Sequence, residues 1–317
     1  GTLRWCIKDS CTNIRYGDKI ATIDGKSVVV DTGGTVLGRS KVAEGDTVEI
    51  GEMLVQLEAC RHPALYAGMC VACGAKPGGH NRTALTISAG HTLQLSKEEA
   101  SSSASVRRSG LHDSRKIALV LDLDHTLVHC IASKDPSVNT SSEELASLFQ
   151  FTLGNEGNPT SGNQHLHIAK FRPHLKAFLE KMHQMCELYI YTAGTRDYAK
   201  VIAKEMDGTG QYFAERIVSR SDLNDIEYKN KSLARILGSS APMALIMDDN
   251  EDVWRGEQSE NLLLVKPFVY FVGARDINNA PGTTETSQKR RADFSTLGDE
   301  VEKNDDQLLV LQTVIEK

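Results

Sequence analysis

A short acidic motif, Asp122-Leu123-Asp124-His125-Thr126, follows directly after a run of apolar residues. In a β-strand, residues i and i+2 project from the same face, so Asp122 and Asp124 are expected to face one site. One carboxylate can attack phosphorus, and a second can protonate the leaving alkoxide and later deprotonate water. Because two carboxylates repel a phosphate dianion, a divalent cation is required, and oxygen ligands favour Mg²⁺. The motif predicts a magnesium-dependent phosphatase in which one of the two aspartates is the nucleophile and the other the general acid/base.

Further polar residues stand at the ends of other predicted elements. Thr192 follows the segment ELYIY, where its hydroxyl can hydrogen-bond a phosphoryl oxygen or serve as an ordinary strand-end group. Lys231 opens a predicted helix and can neutralise phosphate charge, with Lys229 as the alternative two residues earlier. Asp248 and Asp249 end another apolar run, where carboxylates can complete the coordination of the metal. A cap on the following segment is the alternative for Asp248.

The elements around these residues alternate between apolar runs and segments with helical periodicity. Predicted strands are KIALVLDLD (116–124), CELYIYTA (186–193), ERIVSR (215–220) and MALIMDD (243–249), and predicted helices cover 172–185, 197–207 and 230–237. This alternation predicts an α/β fold with a doubly wound parallel sheet. In such sheets ligands bind at the carboxyl ends of the strands, which is where the polar residues fall.

The amino-terminal part has a different pattern. Residues 15–58 contain β-branched runs broken by turn residues, which predicts hairpins. The segment VAEGDTVEIGEMLVQLE resembles the carrier fold of biotinyl and lipoyl domains, which need a modifiable lysine at a hairpin tip. The candidate tip, DTGG at 31–34, has no lysine. We therefore predict a small all-β biotinyl/lipoyl-like domain without an attached cofactor.

The composition suggests five regions along the chain. They are a biotinyl/lipoyl-like β segment (1–59), a Cys/His element with a β extension (60–99), a Ser-rich linker (100–115), the α/β domain (116–278) and a flexible acidic tail ending in a helix (279–317). The net charge of −6 gives no reason to expect direct binding to nucleic acid. No apolar stretch approaches the length of a membrane span, so no membrane partner is expected.

The seven cysteines do not suggest a disulfide scaffold in a chain of this length. Four residues of the second region, Cys60, His62, Cys70 and Cys73, offer the ligand types that zinc prefers. The Cys-x-His spacing is tighter than in a standard zinc knuckle. A structural zinc site and a set of free structural cysteines are therefore both open.

Seven segments of the chain resemble one family of enzymes. They are LVLDLDHTLVH, KFRPHLKAFLEKM, LYIYTAGTRDYA, FAERIVSRSDL, KNKSLARI, IMDDNEDVW and LLLVKPFVYFVG. These segments are similar to the haloacid-dehalogenase (HAD) superfamily of aspartyl phosphatases, and to its branch that dephosphorylates the C-terminal domain of RNA polymerase II. The resemblance covers about residues 116–278 and implies a HAD-like fold.

The resemblance also implies a role for each residue of the motifs. Asp122 is implied as nucleophile, Asp124 as acid/base, and Thr192 and Lys231 as the phosphate clamp. Magnesium is implied on Asp122, the backbone carbonyl of Asp124, and Asp249.

Four more residues match supporting positions of the family. Asp248 is implied to support the metal site, and Thr126 to order the loop after the first strand. Arg172 and Asp207 match family positions without a defined role.

Two features point to the large TFIIF-associated member of the branch. One is the segment DDNEDVW with Trp254, and the other is CRHPALYAGMCVACG. The resemblance implies a nuclear serine phosphatase acting on the polymerase tail, with TFIIF as a partner. The alternatives are a related phosphatase with another phosphoprotein substrate and a non-catalytic phosphopeptide-binding scaffold. A scaffold has no need of the full set of Asp122, Asp124, Lys231 and Asp249.

One departure from the family pattern concerns the engagement of partners. The large member carries a BRCT domain, and none is recognised before Lys317. Residues 131–169 are expected to form a variable insert that shapes access to the site.

Overall fold

The computed structural model describes residues 1–78, 81–86, 91–133, 148–154, 164–223, 230–237, 243–254, 260–271 and 304–317. The chain divides into two units. We call the first, Gly1–Leu85 with Thr92–Ser105, the β-rich unit, and the second, Thr86–His91 with Val106–Lys317, the α/β unit.

Short strands make up the β-rich unit. They are β1 (Leu3–Trp5), β2 (Asn13–Ile14), β3 (Lys19–Ile23), β4 (Lys26–Val29), β5 (Gly34–Arg39), β6 (Val55–Ala59), β7 (Ala64–Tyr66), β8 (Met69–Cys70), β9 (Thr83–Thr86) and β10 (Thr92–Leu95). Their orders in three sheets are β1-β3-β4, β2-β5-β6 and β8-β7-β10-β9. The predicted strand-rich character of this part is confirmed, while its likeness to a carrier domain stays a prediction.

A hairpin is present within the predicted region 15–58. Strands β3 and β4 pair antiparallel, with Ile23 opposite Lys26. The two turn residues, Asp24 and Gly25, have φ angles of 48° and 79°. Two consecutive positive φ angles are what a two-residue hairpin turn of matching twist requires, and Asp-Gly is well suited to them.

The DTGG segment at 31–34 is not a hairpin tip, so that interpretation was wrong. It connects β4 to β5, and these two strands belong to different sheets. Its glycines serve close packing instead. A Cβ atom on Gly34 would lie 2.0 Å from the carbonyl oxygen of Glu58 on the neighbouring strand. Only glycine fits at that distance.

The Ser-rich segment at 100–115, which lacks apolar periodicity, is mostly helical. Its role as a linker stays a prediction. Helix α1 covers Lys97–Ser114. Its start carries a signal that the Ser-rich composition concealed, because the Ser96 hydroxyl oxygen accepts a hydrogen bond from the Glu99 N–H at 3.2 Å. Serine followed three residues later by glutamate is typical of a helix start.

The α/β unit contains two kinds of sheet. Its strands are β11 (Ile117–Leu121), β12 (Val128–Ser133), β13 (Phe149–Gly154), β14 (Gln164–Phe171), β15 (Cys186–Tyr191), β16 (Ile217–Val218), β17 (Ala244–Asp248) and β18 (Leu262–Leu264). Five of them form a parallel sheet in the order β16-β15-β11-β17-β18. Strand β11, the first of these five along the chain, is thus central, and the order reverses beside it. Ligands bind at such a reversal in doubly wound sheets.

Successive residues of the central strand enter two different hydrophobic cores. Leu119 and Leu121 pack in the larger core with helices α2 (Leu175–Met185) and α3 (Arg196–Met206). Ala118 and Val120 pack in a second core. A strand that is apolar on both faces belongs in a covered parallel sheet. The predicted doubly wound α/β fold is confirmed.

Two further helices complete the α/β unit in the described ranges. Helix α4 is limited to Ala234–Leu237, so the helix predicted for 230–237 is shorter and begins after Lys231. Helix α5, Gln307–Ile315, confirms the predicted terminal helix and buries Leu308 and Leu311 in the larger core. The flexible connection predicted after residue 279 lies outside the described residues up to 303. None of the described helices has the length and apolar composition for a membrane crossing.

The predicted insert at 131–169 contains regular structure that the sequence interpretation missed. Strands β12, β14 and β13 form an antiparallel sheet in that order. The burial of β13 alternates residue by residue along FQFTLG, which is typical of a half-buried strand. The signal was therefore present but hidden by the polar residues around it.

We predict that Ser96→Ala weakens the first turn of α1. Loss of the capping oxygen costs about 1 kcal/mol, which speeds local amide exchange of residues 97–100 about fivefold. Ser102→Ala is the matched control, because Ser102 is exposed within the helix and alanine is the better helix former. Hydrogen exchange read by mass spectrometry measures both. Exchange of 97–114 at the rate of an open chain in the wild type would contradict the helix.

Candidate active site

The end of β11 delivers the acidic motif to the carboxyl edge of the parallel sheet. The N–H of Asp122 donates to the carbonyl of Met247 at 2.9 Å, so the backbone stays in the sheet as far as Asp122. The chain then reverses at once, since the N–H groups of Leu127 and Val128 both donate to the carbonyl of Leu123, at 2.9 and 3.0 Å. This turn keeps the acidic motif at the sheet edge.

A lysine ammonium bridges two buried carboxylates at this edge. Lys231 Nζ lies 2.5 Å from Asp122 Oδ1 and 2.6 Å from Asp248 Oδ2. All three side chains are less than a tenth exposed. Burial acts to lower the pKa of Lys231, but the charges of Asp122 and Asp248 outweigh it and raise that pKa. The ammonium is therefore charged and lies at the carboxyl edge of the sheet, while its predicted role as a phosphate clamp stays a prediction. Lys229 lies outside the described residues.

The backbone and two aromatic rings position Lys231. Its N–H donates to the carbonyl of Val253 at 2.8 Å, and it forms a β-bridge with Trp254. Its Nζ lies 5.8 Å from the ring centroids of both Tyr191 and Trp254. The two rings pack edge to face at 5.6 Å. These contacts leave the side chain little freedom, which matters for a group that must stay at one point.

Both carboxylate oxygens of Asp248 accept hydrogen bonds from the protein. Oδ2 accepts from Lys231 and from the indole Nε1 of Trp254, the latter at 2.8 Å. Oδ1 accepts from the N–H of Asn250 at 2.9 Å. Trp254 was noted in the sequence only as a family feature, and its contact with the site was missed. Asp248 is thus held as an anchor for Lys231.

Three carboxylates form a cluster with metal-binding potential. Oxygen atoms of Asp122, Asp248 and Asp249 all lie within 4.8 Å of one another. Asp249 Oδ1 accepts a hydrogen bond from the Thr126 hydroxyl at 3.2 Å, so Thr126 contacts the site directly as well as forming the turn. Since Asp248 is committed to protein donors, Asp122 and Asp249 are the better ligands. Carboxylate oxygens suit Mg²⁺.

The site concentrates negative charge away from water. Burial is the main cause that raises the pKa of Asp122 well above its ordinary value, and repulsion by the charges of Asp248 and Asp124 adds to it. The attraction of Lys231 acts in the opposite direction but does not outweigh them. Burial and the Asp248 charge likewise raise the pKa of Asp249. A divalent cation between these carboxylates would relieve both effects.

Asp124 has a partner that sequence reasoning missed. The hydroxyl of Tyr198, on α3, donates to Asp124 Oδ1 at 2.6 Å. Burial and the nearby Asp124 charge raise the pKa of Tyr198 far above its ordinary value, so the phenol keeps its proton and remains the donor. In the sequence Tyr198 looks like one of the apolar residues of an amphipathic helix. Only the fold reveals that its hydroxyl reaches the acidic motif.

Thr192 lies just past the end of β15 and is buried. Its hydroxyl oxygen accepts a hydrogen bond from the Gly194 N–H at 2.9 Å, so its own proton is directed elsewhere. Gly194 is needed here, because a Cβ atom would lie 2.5 Å from Cδ1 of Tyr198. The same short loop therefore places Thr192 and leaves room for the tyrosine that contacts Asp124.

Arg172 hydrogen-bonds three segments of the chain around the acidic motif. Its buried guanidinium donates to the carbonyl of Thr126 at 3.0 Å, to that of Lys266 at 2.8 Å, and to the carboxylate of Asp305 at 3.1 Å. It thereby fastens the turn after β11 to two other segments. Since these donations join the turn to two segments distant in the sequence, we infer that Arg172 positions the turn.

Asp207 is not brought to the site. Its carboxylate accepts hydrogen bonds from the N–H groups of Gln211, Tyr212 and Phe213 at 2.7 to 2.9 Å. It follows the carboxyl end of α3, which in a βαβ unit lies at the opposite edge of the sheet from the acidic motif. The supporting role expected for Asp207 is therefore structural, as the anchor of the connection to β16.

Comparison with known proteins finds similar phosphatases. The sequence model of the family described as NLI interacting factor-like phosphatase matches residues 117–280. The chain is 34% identical over 263 residues to the human phosphatase of the RNA polymerase II C-terminal domain, covering 79% of this chain and 26% of that protein. It is 36% identical over 239 residues to the Schizosaccharomyces pombe protein of the same name, covering 70% and 32%.

The fold is also similar to a solved structure of Fcp1, described as an essential RNA polymerase II CTD phosphatase. The TM-score is 0.54 at 28% identity, over 67% of this chain and 64% of that one. The chain spans between about a quarter and a third of the length of the two relatives above.

We predict that Mg²⁺ stabilises the protein more strongly as the pH rises. Raised pKa values mean that folded, metal-free Asp122 and Asp249 hold protons more tightly than the unfolded chain. The free energy of unfolding therefore falls as the pH rises from the ordinary aspartate pKa towards the raised values. Mg²⁺ competes with those protons, and a hundredfold excess over its dissociation constant adds about 2.7 kcal/mol.

Thermal unfolding with MgCl₂ or chelator, from about pH 5 to about pH 8, measures this effect. Asp249→Asn should remove most of the stabilisation. Asp252→Asn, a change to an exposed carboxylate in the adjacent turn, should keep it. Equal stabilisation in wild type and Asp249→Asn would place the cation elsewhere.

Proposed function

Because the chain belongs to the NLI interacting factor-like phosphatase family, we propose that it is a protein serine phosphatase that dephosphorylates the C-terminal domain of RNA polymerase II. The reaction proceeds through an aspartyl-phosphate intermediate. The observation that carries the proposal is the buried contact of Lys231 with Asp122, beside a cluster of three carboxylates.

Asp122 is the nucleophile. One of its oxygens attacks phosphorus, and the bond between phosphorus and the serine oxygen breaks, which leaves an acyl phosphate on Asp122. Lys231 supports this step in two ways. Its charge acts to lower the pKa of Asp122, against burial and the repulsion of Asp248 and Asp124, and so favours the carboxylate form. The same ammonium lies where it can neutralise the phosphoryl oxygens. The hydroxyl of Thr192 donates a hydrogen bond to a phosphoryl oxygen.

Asp124 moves the protons. It gives a proton to the departing serine oxygen, and then takes one from the water that attacks the acyl phosphate and releases inorganic phosphate. Tyr198 donates to one oxygen of Asp124 and so fixes the orientation of the carboxyl group. The same contact supports the carboxylate form, which is the form that must accept the proton from water.

The residues present fit Mg²⁺. Asp122, Asp249 and the backbone carbonyl of Asp124 would hold it, and Asp248 would support them by anchoring Lys231. When bound, the cation offsets the repulsion between the carboxylates and the phosphate dianion.

The substrate proposal rests on the relatives. Three of them, from human and two yeasts, are named as phosphatases of the polymerase C-terminal domain. Such a substrate implies action in the nucleus. An association with TFIIF stays a prediction from the sequence resemblance.

We predict that the protein releases phosphate from a phosphoserine peptide of the polymerase repeat when Mg²⁺ is present. Asp122→Asn should abolish release because no nucleophile remains. Asp124→Asn should lower kcat on the order of 10²- to 10⁴-fold, the usual contribution of a general acid/base. Asp252→Asn should retain wild-type turnover. Colorimetric detection of released phosphate measures the turnover of the wild type and the three variants.

A shuffled phosphoserine peptide of the same composition tests the substrate class. Preferred turnover of the repeat peptide supports the proposal, and equal turnover of both peptides would indicate another phosphoprotein substrate. Binding of the repeat peptide by the wild type without any release of phosphate would show a scaffold and contradict the proposed activity.

A further inference from the structure

Four side chains of the β-rich unit converge in a group that the phosphatase reaction does not use. Ligand atoms of Cys60, His62, Cys70 and Cys73 all lie within 4.8 Å of one another. Cys70 and Cys73 are buried, and the other two are partly buried. Cys11, another cysteine of this unit, donates to the carbonyl of Asn13 instead. The group therefore does not include every cysteine of this unit.

The distances within the group match tetrahedral coordination. Zinc ligands at about 2.3 Å for sulfur and about 2.0 Å for nitrogen stand about 3.8 Å apart for two sulfurs and about 3.5 Å apart for sulfur and nitrogen. Cys60 Sγ and Cys70 Sγ are 3.7 Å apart. Cys73 Sγ and His62 Nδ1 are 3.3 Å apart. One ion between these atoms needs only small adjustments of the side chains.

The backbone around the group is arranged to hold it. The N–H of His62 donates to Cys60 Sγ at 3.3 Å, which disperses charge from a thiolate. Arg82 donates to the carbonyl of His62 at 2.9 Å and so fixes the residue that carries the imidazole. Partners of this kind orient metal ligands. A Cβ atom on Gly33 would lie 2.5 Å from Cβ of Cys73, so glycine is required beside the group.

The chemistry of the four residues favours zinc over the hard divalent cations. Three thiolates and an imidazole are soft and borderline ligands, which favour zinc over Mg²⁺ or Ca²⁺. A disulfide does not describe the group, because its sulfur atoms would be about 2.05 Å apart. With four protein ligands the shell is closed, which is typical of a structural rather than a catalytic zinc.

The apolar clusters of the β-rich unit are small enough that a bound metal would add substantially to its stability. The largest cluster of buried apolar residues in its described part has five members: Leu3, Ile14, Ile20, Ala21 and Val48. The cluster beside the four ligands contains Leu65 as its buried residue other than cysteine. Small cores of this size are commonly supplemented by a metal or a disulfide.

We propose that Cys60, His62, Cys70 and Cys73 bind a structural zinc ion that fastens the β7–β8 hairpin to the sheet β2-β5-β6. Cys60 directly follows β6, Cys70 lies on β8, and Cys73 follows it. The carbonyl of Cys73 also accepts from the N–H of Tyr16, beyond β2, at 2.8 Å. The ion therefore joins two sheets through three short segments of chain.

Metal content of the full chain, purified without chelator and measured by elemental mass spectrometry, tests the proposal. Wild type should contain about one zinc per chain, and Cys73→Ser should lose it. Cys6→Ser, a change to an exposed cysteine, is the matched control and should keep it. Asp249→Asn should also keep it, which separates this site from the carboxylate cluster. Absence of zinc from the wild type, or its persistence in Cys73→Ser, would overturn the proposal.

Two measurements guard against a variant that simply fails to fold. His62→Cys replaces the imidazole by a fourth thiolate and should retain zinc. Replacement of zinc by Co²⁺ in the wild type should give thiolate-to-cobalt charge-transfer absorption with the intense visible bands of tetrahedral cobalt. Loss of the metal in His62→Cys together with weak, octahedral cobalt bands in the wild type would refute the assigned ligands.

Discussion

The site depends on one buried interaction, the ammonium of Lys231 held between the carboxylates of Asp122 and Asp248. Removing three charges from water is costly, and apolar residues of similar volume often stabilise a protein as well or better. The stability of the α/β unit comes from its two hydrophobic cores, which cover both faces of the parallel sheet. The three charged groups are therefore better explained by a catalytic role than by a contribution to stability, because a nucleophile must be an ionised carboxylate even in a dry site.

The rest of the site follows from the need to keep that lysine and its neighbours in place. Trp254 donates to Asp248 and lies beside Lys231, so one residue steadies both partners of the ion pair. Arg172 holds the carbonyl of Thr126, and Thr126 in turn donates to Asp249. Each acidic group thus has a positioned donor, and the sheet supplies the common edge where they meet.

Sequence patterns predicted most of this arrangement because apolar runs ending in acids are strong local signals. The strands that end in acids and the doubly wound parallel sheet followed from them. Tyr198 could not be found in this way, since a tyrosine on the apolar face of a helix looks like packing until the fold brings it to Asp124. Helix α1 was missed although its sequence carries a helix-start signal at Ser96 and Glu99, because its serine-rich composition suggested a linker. Asp207 matched a family position, yet its three backbone partners give it a structural role.

Trapping the covalent intermediate tests the central claim, that Asp122 attacks phosphorus, most directly. Asp124→Asn is mixed with Mg²⁺ and a radiolabelled aryl phosphate, whose leaving group needs no proton, and the reaction is quenched in acid. Because the second step lacks its general base, label should accumulate on the chain, be released by hydroxylamine as an acyl phosphate is, and map to Asp122. Absence of covalent label, or label on any other residue, would contradict the proposed mechanism.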